Sequence, residues 1–265
     1  MAVSTRVVLA SLALSTLLTA PASAEPPAVE ALVAKMRAVV WPAQPSVRTL
    51  TIRVTTKQFG GSTTESIAKH ARKKLGDGGR MLAVMQAPAG ARGIAWLIQE
   101  GPKQSQQWVW DPIFRRVRTL IPLEGFEAFL SSDFTYADLG LVDLHSTYKL
   151  LGEEQHDGVR AYKVQEVPRS QWYYTRIVTW IAADSSFPLE RQFYDPANQL
   201  WKVERFDQVT DINGFPTVLH RRMEDRQTGG STDINVSEVR YGADIPDALF
   251  DPAKLPQAAD SPAWQ

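Results

Sequence analysis

The segment QWVWDPIFRRVRTLIPLEGFEAFLSSDFTYADL, residues 107–139, contains the features that decide the fold of this chain. Its first half predicts a β-hairpin. Two runs of strand-favouring residues, at 108–110 and 117–121, flank a turn that begins at Asp111-Pro112, which is the pattern typical of hairpins. The segment therefore begins as part of a β-sheet.

The second half of the segment predicts a short helix rather than a strand. Phe126, Phe129 and Leu130 are spaced i, i+3 and i+4, so they would form one apolar stripe on a helix. A helix of this kind, extended at most to Asp138, is typical of a lid over an apolar cavity when it is attached to a sheet. The residues expected in the lid are Phe126, Phe129, Leu130, Phe134 and Tyr136.

Most of the remaining chain predicts short strands joined by tight turns. Leu50, Ile52 and Val54 alternate with polar residues, which indicates a strand with one buried face. Asp157-Gly158 and Asn213-Gly214 are typical hairpin turns. Consecutive strands joined by short turns are antiparallel neighbours. We therefore expect a mainly β fold with about ten or eleven antiparallel strands.

One helix is predicted before the strands, at residues 28–40, where apolar residues recur at helical spacing between prolines. Residues 25–255 are expected to form a single domain, since all-β domains often reach about 200–250 residues. Residues 256–265 contain two prolines among small and polar residues. This composition predicts a flexible C-terminal tail.

Residues 1–24 have the pattern of a cleaved secretory signal peptide. Arg6 supplies a positive charge, residues 7–20 are apolar, and Ala22-Ser23-Ala24 form a small-residue cleavage site. The apolar run is shorter than the roughly 20 residues that a membrane-spanning helix needs, although a retained anchor is an alternative. The pattern therefore predicts export of the chain.

The overall composition excludes several classes of function. The chain has no cysteine, so it has no disulfide, no thiolate metal site and no lipid-modified cysteine. Removal of Arg6 with the signal peptide would leave 28 basic residues against 29 acidic ones. A nearly neutral chain without a basic block gives no indication of nucleic-acid binding. We expect a monomer.

The sequence also lacks the common catalytic motifs. It has no Gly-x-Ser-x-Gly elbow, no His-Glu-x-x-His zinc motif and no glycine-rich nucleotide loop. Its four histidines are dispersed. Asp133 and Asp138 are the carboxylates nearest the lid, and their spacing fits helix capping and a turn better than acid–base catalysis. We therefore expect no enzyme activity, no metal and no cofactor.

Aromatic strand residues are the positive signal for a binding cavity. Eight tryptophans are present, and a large antiparallel sheet must cover its apolar face with another layer. Two short helices are thin cover, so a curled sheet with a partly empty interior is favoured, and a closed barrel with a solid core is the alternative. The candidate lining residues are Leu50, Ile52, Val54, Ile94, Trp96, Trp108, Trp110, Trp180 and Trp201.

Three arginines, Arg115, Arg116 and Arg118, follow the predicted hairpin turn. They are either solvated charges on a hairpin or a polar rim that contacts a lipid phosphate or an acidic partner. Guanidinium groups make bidentate contacts with such anions. The sequence is compatible with both interpretations.

The runs WVWDPIFRRVRTL and SSDFTYADL resemble the signature of the outer-membrane lipoprotein-sorting protein family, a branch of the LolA/LolB-like periplasmic carriers. The similarity extends from about residue 79 to residue 255. It implies a half-open antiparallel β-barrel with a helical lid that binds acyl chains between sheet and lid.

The resemblance also implies a function. A family member would carry a lipid or lipoprotein through the periplasm from the inner to the outer membrane, with an RND-type permease as the expected donor. One alternative is an RseB-like lipid-binding sensor of envelope stress. The other is an enzyme that acts on a lipid head group.

Overall fold

A computed structural model of the 265-residue chain describes residues 27–75, 78–100, 105–120, 128–139, 146–169 and 174–265, without the side chain of Phe59. In these ranges thirteen antiparallel strands form one open sheet. The predicted signal peptide, residues 1–24, and the lid candidate Phe126 lie outside the described residues.

The strands range from five residues to fourteen, and α-helix α1 (Val29–Val40) precedes them. They are β1 (Ser46–Thr56), β2 (Ser62–Leu75), β3 (Gly78–Ala87), β4 (Ala95–Gln99), β5 (Gln106–Asp111), β6 (Arg116–Leu120), β7 (Thr147–His156), β8 (Val159–Val167), β9 (Arg176–Ala182), β10 (Pro188–Tyr194), β11 (Leu200–Ile212), β12 (Phe215–Asp225) and β13 (Ser231–Tyr241).

The mainly β, antiparallel fold predicted from the sequence is confirmed, with more strands than the expected ten or eleven. Strands β2 and β7 contain many polar, exposed positions. They nevertheless pair along their length, β2 with β1 and β3 and β7 with β8.

The order of the strands places two strands that are consecutive in sequence at opposite edges of the sheet. The order is β6-β5-β4-β3-β2-β1-β13-β12-β11-β10-β9-β8-β7, so the first and last strands pair in the middle. Strands β6 and β7 follow one another in the chain, yet they form the two opposite edges. The described part of the connection between them, residues 128–139, lies over one face of the sheet.

The connection crosses the face that we call the inner face, which carries Ile52 of β1. Its described part, residues 128–139, is called the lid segment. Phe129 and Phe134 of the lid segment pack in one buried cluster with Ile52. Helix α1 covers another part of the sheet, where Leu32 and Val33 pack against Val164 and Ile181.

The opposite, outer face has its own cover, formed by the C-terminal segment, residues 243–265. Leu249, Phe250 and Leu255 of this segment share a buried cluster with Val47 of β1 and Leu82 of β3. Burial of this apolar surface stabilises the fold by about 25 cal/mol per Å² removed from water. The domain is therefore a sheet covered on both faces.

Residues 256–265, expected as a flexible tail, belong in this structure to the C-terminal segment that packs on the outer face. The tail forms 3-10 turns, Pro252–Asp260 and Pro262–Trp264, which are capped by Asp251 and Ser261. The indole Nε1 of Trp264 donates a hydrogen bond to Ala258 O at 2.7 Å. Pro252 and Pro262 stand at the first helical positions, where a missing N–H costs nothing, so they begin turns. Pro256 lies inside the longer 3-10 segment.

Leu255→Ala tests the contribution of the C-terminal segment. Leu255 is fully buried, so its truncation leaves a cavity and lowers the free energy of unfolding by about 2–5 kcal/mol. Urea denaturation followed by tryptophan fluorescence measures the change. The control is Lys254→Ala at the neighbouring exposed position, and an equal effect of both variants would contradict the packing role.

Candidate functional site

A cavity lies between the inner face and the lid segment. Its walls come from the end of helix α1, from β1–β4, from β12 and β13, and from the lid segment. Most of the lining side chains are apolar or aromatic. They are Val40, Trp41, Arg48, Leu50, His70, Met81, Ala83, Trp96, Ile98, Phe129, Tyr136, Leu139, Thr217, Val218, Arg221, Ile234, Val236 and Tyr241.

The cavity is narrow in this structure. Its enclosed volume is about 70 Å³, and the space between its walls reaches about 810 Å³ only when the open mouth is included. Apolar cavities in proteins can stay dry and accept apolar ligands. A longer chain would enter after the side chains of the lid segment move outward.

Aromatic contacts hold the lid segment against the sheet. The ring of Phe129 meets that of Tyr136 edge to face, with centroids 5.4 Å apart, and lies 6.4 Å from the ring of Trp96 on β4. Phe134 is fully buried. Aromatic pairs in such geometry contribute about 0.5–1.5 kcal/mol beyond the burial of their area.

The lid segment contains less helix than the sequence predicted. Phe129–Ser131 form a single 3-10 turn, and an isolated β-bridge joins Ala128 to Thr135. Leu130 has a φ of 52°, which a continuous right-handed helix does not allow. The amide of Phe129 donates to Phe134 O at 2.7 Å. The lid segment is therefore a closed loop, and the predicted helix does not continue to Asp138.

Polar contacts attach the lid segment to β11 and β13. The amide of Asp133 donates to Thr232 Oγ1 at 2.9 Å, and the Thr232 hydroxyl donates to Asp133 Oδ2 at 2.7 Å. The ammonium group of Lys202 donates to Asp133 O at 2.6 Å. These contacts place one end of the lid segment in a defined position over the sheet.

Asp138 organises the other end of the lid segment. Its Oδ2 accepts from the amide of Thr135 at 2.8 Å, while its own amide donates to Thr135 Oγ1 at 3.1 Å. This reciprocal arrangement is that of a capping box. The hydroxyl of Tyr174 donates to Asp138 Oδ2 at 3.1 Å, and Arg191 donates to Asp138 O at 3.1 Å. The turn interpretation of Asp138 therefore agrees with its contacts.

Burial shifts the pKa values of groups in this network. Burial, followed by the charge of Asp138, raises the pKa of Tyr174 well above its ordinary value. Burial also raises the pKa of Asp133, against the opposing effects of the Thr232 hydrogen bond and the Lys202 charge. Both aspartates are used to attach the lid segment.

Another buried pair lies beside this network. Glu204 of β11 is completely buried, and Arg221 of β12 donates to its Oε1 from Nε at 2.8 Å and from Nη2 at 2.6 Å. Arg191 donates to Glu204 Oε2 at 3.3 Å. Buried ions are tolerated when they are paired and hydrogen-bonded, so Arg221 reaches the cavity wall as a compensated charge.

A second group of polar side chains lines the cavity near Trp41, at the end of helix α1. Arg48 and His70 are buried, and Arg72 places its guanidinium 4.6 Å from the centroid of the Trp41 ring. Burial, followed by the positive charges of Arg48 and Arg72, lowers the pKa of His70 well below 6.5. His70 is therefore neutral at neutral pH.

Several predicted lining residues are brought together on the inner face. Leu50 and Trp96 line the cavity. Ile52, Val54 and Trp201 pack in the same inner cluster without lining the cavity. The indole Nε1 of Trp201 donates to Asp225 Oδ2 at 3.1 Å, which turns the ring toward the sheet.

The other predicted lining residues lie elsewhere. Trp108 and Trp110 pack on the outer face, against the cluster that the C-terminal segment covers. Trp180 packs on Val178. Val178 follows the inward Ile177 on β9, so Val178 and Trp180 face away from the cavity. The indole Nε1 of Trp180 donates to Glu154 at 2.7 Å. Ile94 precedes β4 and is half-buried outside the cavity.

The three rim candidates also lie away from the cavity. Arg115 and Arg116 are at the β5–β6 hairpin and Arg118 is on β6, all with exposed side chains. The guanidinium of Arg116 lies 5.6 Å from the centroid of the exposed Phe114 ring. Exposure on the hairpin is compatible both with solvated charges and with contact to an acidic partner, so both remain predictions.

Of the lid candidates, Phe129, Leu130, Phe134 and Tyr136 lie over the inner face, and Phe126 is outside the described residues. Phe129 and Tyr136 line the cavity, while Phe134 and Leu130 belong to the inner cluster. Sequence reasoning did not identify Thr232 and Lys202, which hold the lid segment although they are 99 and 69 residues from Asp133. Such long-range contacts leave no local pattern in a sequence.

The described ranges contain neither a candidate membrane-spanning helix nor a candidate metal site. Of the helices in the described ranges, none combines the length and apolar character needed to cross a membrane. In the same ranges, no three histidine, aspartate or glutamate side chains are grouped as metal ligands would be.

Thr232→Val tests the attachment of the lid segment. The variant removes the hydroxyl that pairs with Asp133, and the unpaired groups raise the free energy of the closed lid by about 1–3 kcal/mol. Hydrogen exchange of the Asp133 and Phe134 amides should therefore become faster. Thr64→Val, at an exposed position of β2, is the control, and unchanged exchange in Thr232→Val would refute the attachment.

The buried His70 predicts a pH dependence of stability. Because its pKa is lowered in the folded state, the unfolded chain binds a proton near pH 6.5 that the folded chain does not. Stability then falls as the pH drops below about 6.5, by at most about 1.4 kcal/mol per pH unit. Denaturation at pH 7.5 and 5.5 should show a smaller loss for His70→Gln, and equal losses would contradict this.

Solved structures with the same architecture were found. A domain from Vibrio parahaemolyticus named for outer-membrane lipoprotein sorting is 22% identical, with a TM-score of 0.76, covering 85% of this chain and 97% of its own. A DUF1329-family protein from Desulfovibrio piger is 27% identical, with a TM-score of 0.77 and coverages of 86% and 98%. A LolA-superfamily protein from Nitrosomonas europaea is 18% identical, with a TM-score of 0.69 and coverages of 85% and 98%.

These similarities confirm, at the level of the fold, the resemblance seen in the sequence. No curated protein matches the chain significantly. A family model with the description "Uncharacterized protein" matches residues 77–257. Because this match covers more than half of the chain, the protein belongs to that family, and its fold is that of the LolA-like lipoprotein-sorting proteins.

Proposed function

We propose that this protein is a periplasmic carrier that binds the acyl chains of a lipid or lipoprotein between its sheet and its lid segment. The observation that carries the proposal is the apolar cavity that the lid segment closes. The described residues that line it include no carboxylate, so they offer binding surface rather than an acid–base pair. The proposed role is therefore non-enzymatic.

The physical basis of binding is the hydrophobic effect. Each buried methylene contributes about 0.8 kcal/mol, so ten methylenes contribute about 8 kcal/mol before the costs of opening the lid and ordering the chain. Phe129, Tyr136 and Leu139 of the lid segment would move to admit the chain. Release would need the same movement, or an acceptor that takes the chain.

The finer parts of the proposal rest on other observations. The signal-like residues 1–24 support export, and the likeness of the fold to LolA-like proteins supports transfer from the inner to the outer membrane. An RND-type permease as donor and a monomeric state belong to the same proposal.

Native mass spectrometry of the mature protein, purified from the periplasm, tests lipid binding. We expect a co-purifying lipid mass, and we expect Phe129→Asp to remove it because a charge in the cavity wall opposes burial of an acyl chain. Phe114→Asp is the matched control, since Phe114 is 68% exposed on the β5–β6 hairpin. It should retain the lipid.

A protein without lipid that also fails to take up a fluorescent fatty acid would refute the proposal. Transfer of a labelled lipid from donor vesicles to acceptor vesicles then separates a carrier from a lipid-binding regulator. A carrier should accelerate the transfer, and Phe129→Asp should not.

A further inference from the structure

The buried cations of the inner face differ in whether a carboxylate lies beside them. Arg191 and Arg221 pair with the buried Glu204, and Lys202 lies 3.8 Å from Asp138. Arg48 of β1 is as deeply buried, with 7% of its surface exposed, but in the described ranges no carboxylate forms an ion pair with it. Arg48 also lines the cavity.

Within the described residues, the contacts of Arg48 hold its guanidinium in place but include no anion. Its Nη2 donates to Ser46 Oγ at 3.0 Å, its side chain also hydrogen-bonds with that of Tyr241, and its Nε is buried without a hydrogen-bond partner. The rings of Trp41 and Tyr241 flank it, with centroids 5.7 and 5.8 Å from Cζ. A guanidinium flanked in this way still has N–H groups to donate.

The residues beside Arg48 on β2 supply no negative charge to its guanidinium. His70 faces Arg48 across the β1–β2 pair, and its Nδ1 is buried without a partner. Arg72, two residues along β2, lies 3.7 Å from Glu100, so that carboxylate is engaged by another cation. An unpaired buried charge is costly, and an incoming anion would remove this cost.

We propose that Arg48 binds the anionic head group of a single-chain amphiphile whose hydrocarbon tail lies along the apolar part of the cavity. This rests on the proposed function and specifies its ligand class. The apolar part begins at Leu50, one inward position further along β1, and continues over Trp96 and Phe129. A carboxylate or a phosphate monoester is compact enough to reach the buried guanidinium.

The test compares chains of equal length with different head groups. The purified protein is loaded with the uncharged fluorophore N-phenyl-1-naphthylamine, which palmitate, hexadecyl phosphate or hexadecanol then displaces. We expect at least one of the two anions to bind about tenfold or more tightly than hexadecanol, as hydrogen bonds to a charged group allow. The preferred anion identifies the head group as carboxylate or phosphate.

Two substitutions of Arg48 separate charge from packing. Arg48→Met should lose the preference for the anion while binding hexadecanol as before, and Arg48→Lys should retain part of the preference. Arg53→Met is the matched control, because Arg53 is on the same strand but exposed and paired with Glu65. It should behave as the unchanged protein does.

The possible outcomes are distinct. Equal binding of the anions and hexadecanol by the unchanged protein would overturn the head-group site and leave the proposed carrier intact, and this comparison needs no variant. An equal loss for all chains in Arg48→Met, with Arg48→Lys affected in the same way, would also overturn the site. Failure of every chain to displace or bind would overturn the carrier proposal and the site with it.

Discussion

The pairing of β1 with β13 is the constraint on which the rest of the structure depends. It joins the first and last strands in the middle of the sheet, so the two consecutive strands β6 and β7 become opposite edges. The described part of the chain between them, residues 128–139, lies across the inner face. A cover over the inner face is therefore a consequence of the topology, and the cavity beneath it is the space that this crossing encloses.

The crossing segment needs a defined position, and the buried polar contacts supply it. Apolar packing alone is not directional, so Phe129 and Phe134 would tolerate several placements over the sheet. Asp133 and Asp138 accept hydrogen bonds only in particular geometries, from Thr232 and Tyr174 among others. The polar contacts thus select one closed position, while the aromatic residues provide most of the buried surface.

The sequence allowed the strands, the first helix and the crossing segment to be predicted, because alternation and turn residues are local signals. It did not allow the faces of every strand to be assigned. On β5 the aromatic content suggested that Trp108 faced inward, but the pairing with β4 places Val109 opposite the inward Trp96. The burial of Leu255 and the contacts of Lys202 depend on residues far away in sequence, and so they left no local pattern.

An open sheet has two strands with unpaired backbone groups, and such edges promote pairing between molecules. Here the edges are β6 and β7. Strand β6 is only five residues long and includes Arg116 and Arg118, while β7 carries charged residues at Lys149, Glu153 and Glu154. Charged side chains on short edges oppose edge-to-edge association. The basic hairpin therefore helps to oppose association of this protein through its β6 edge.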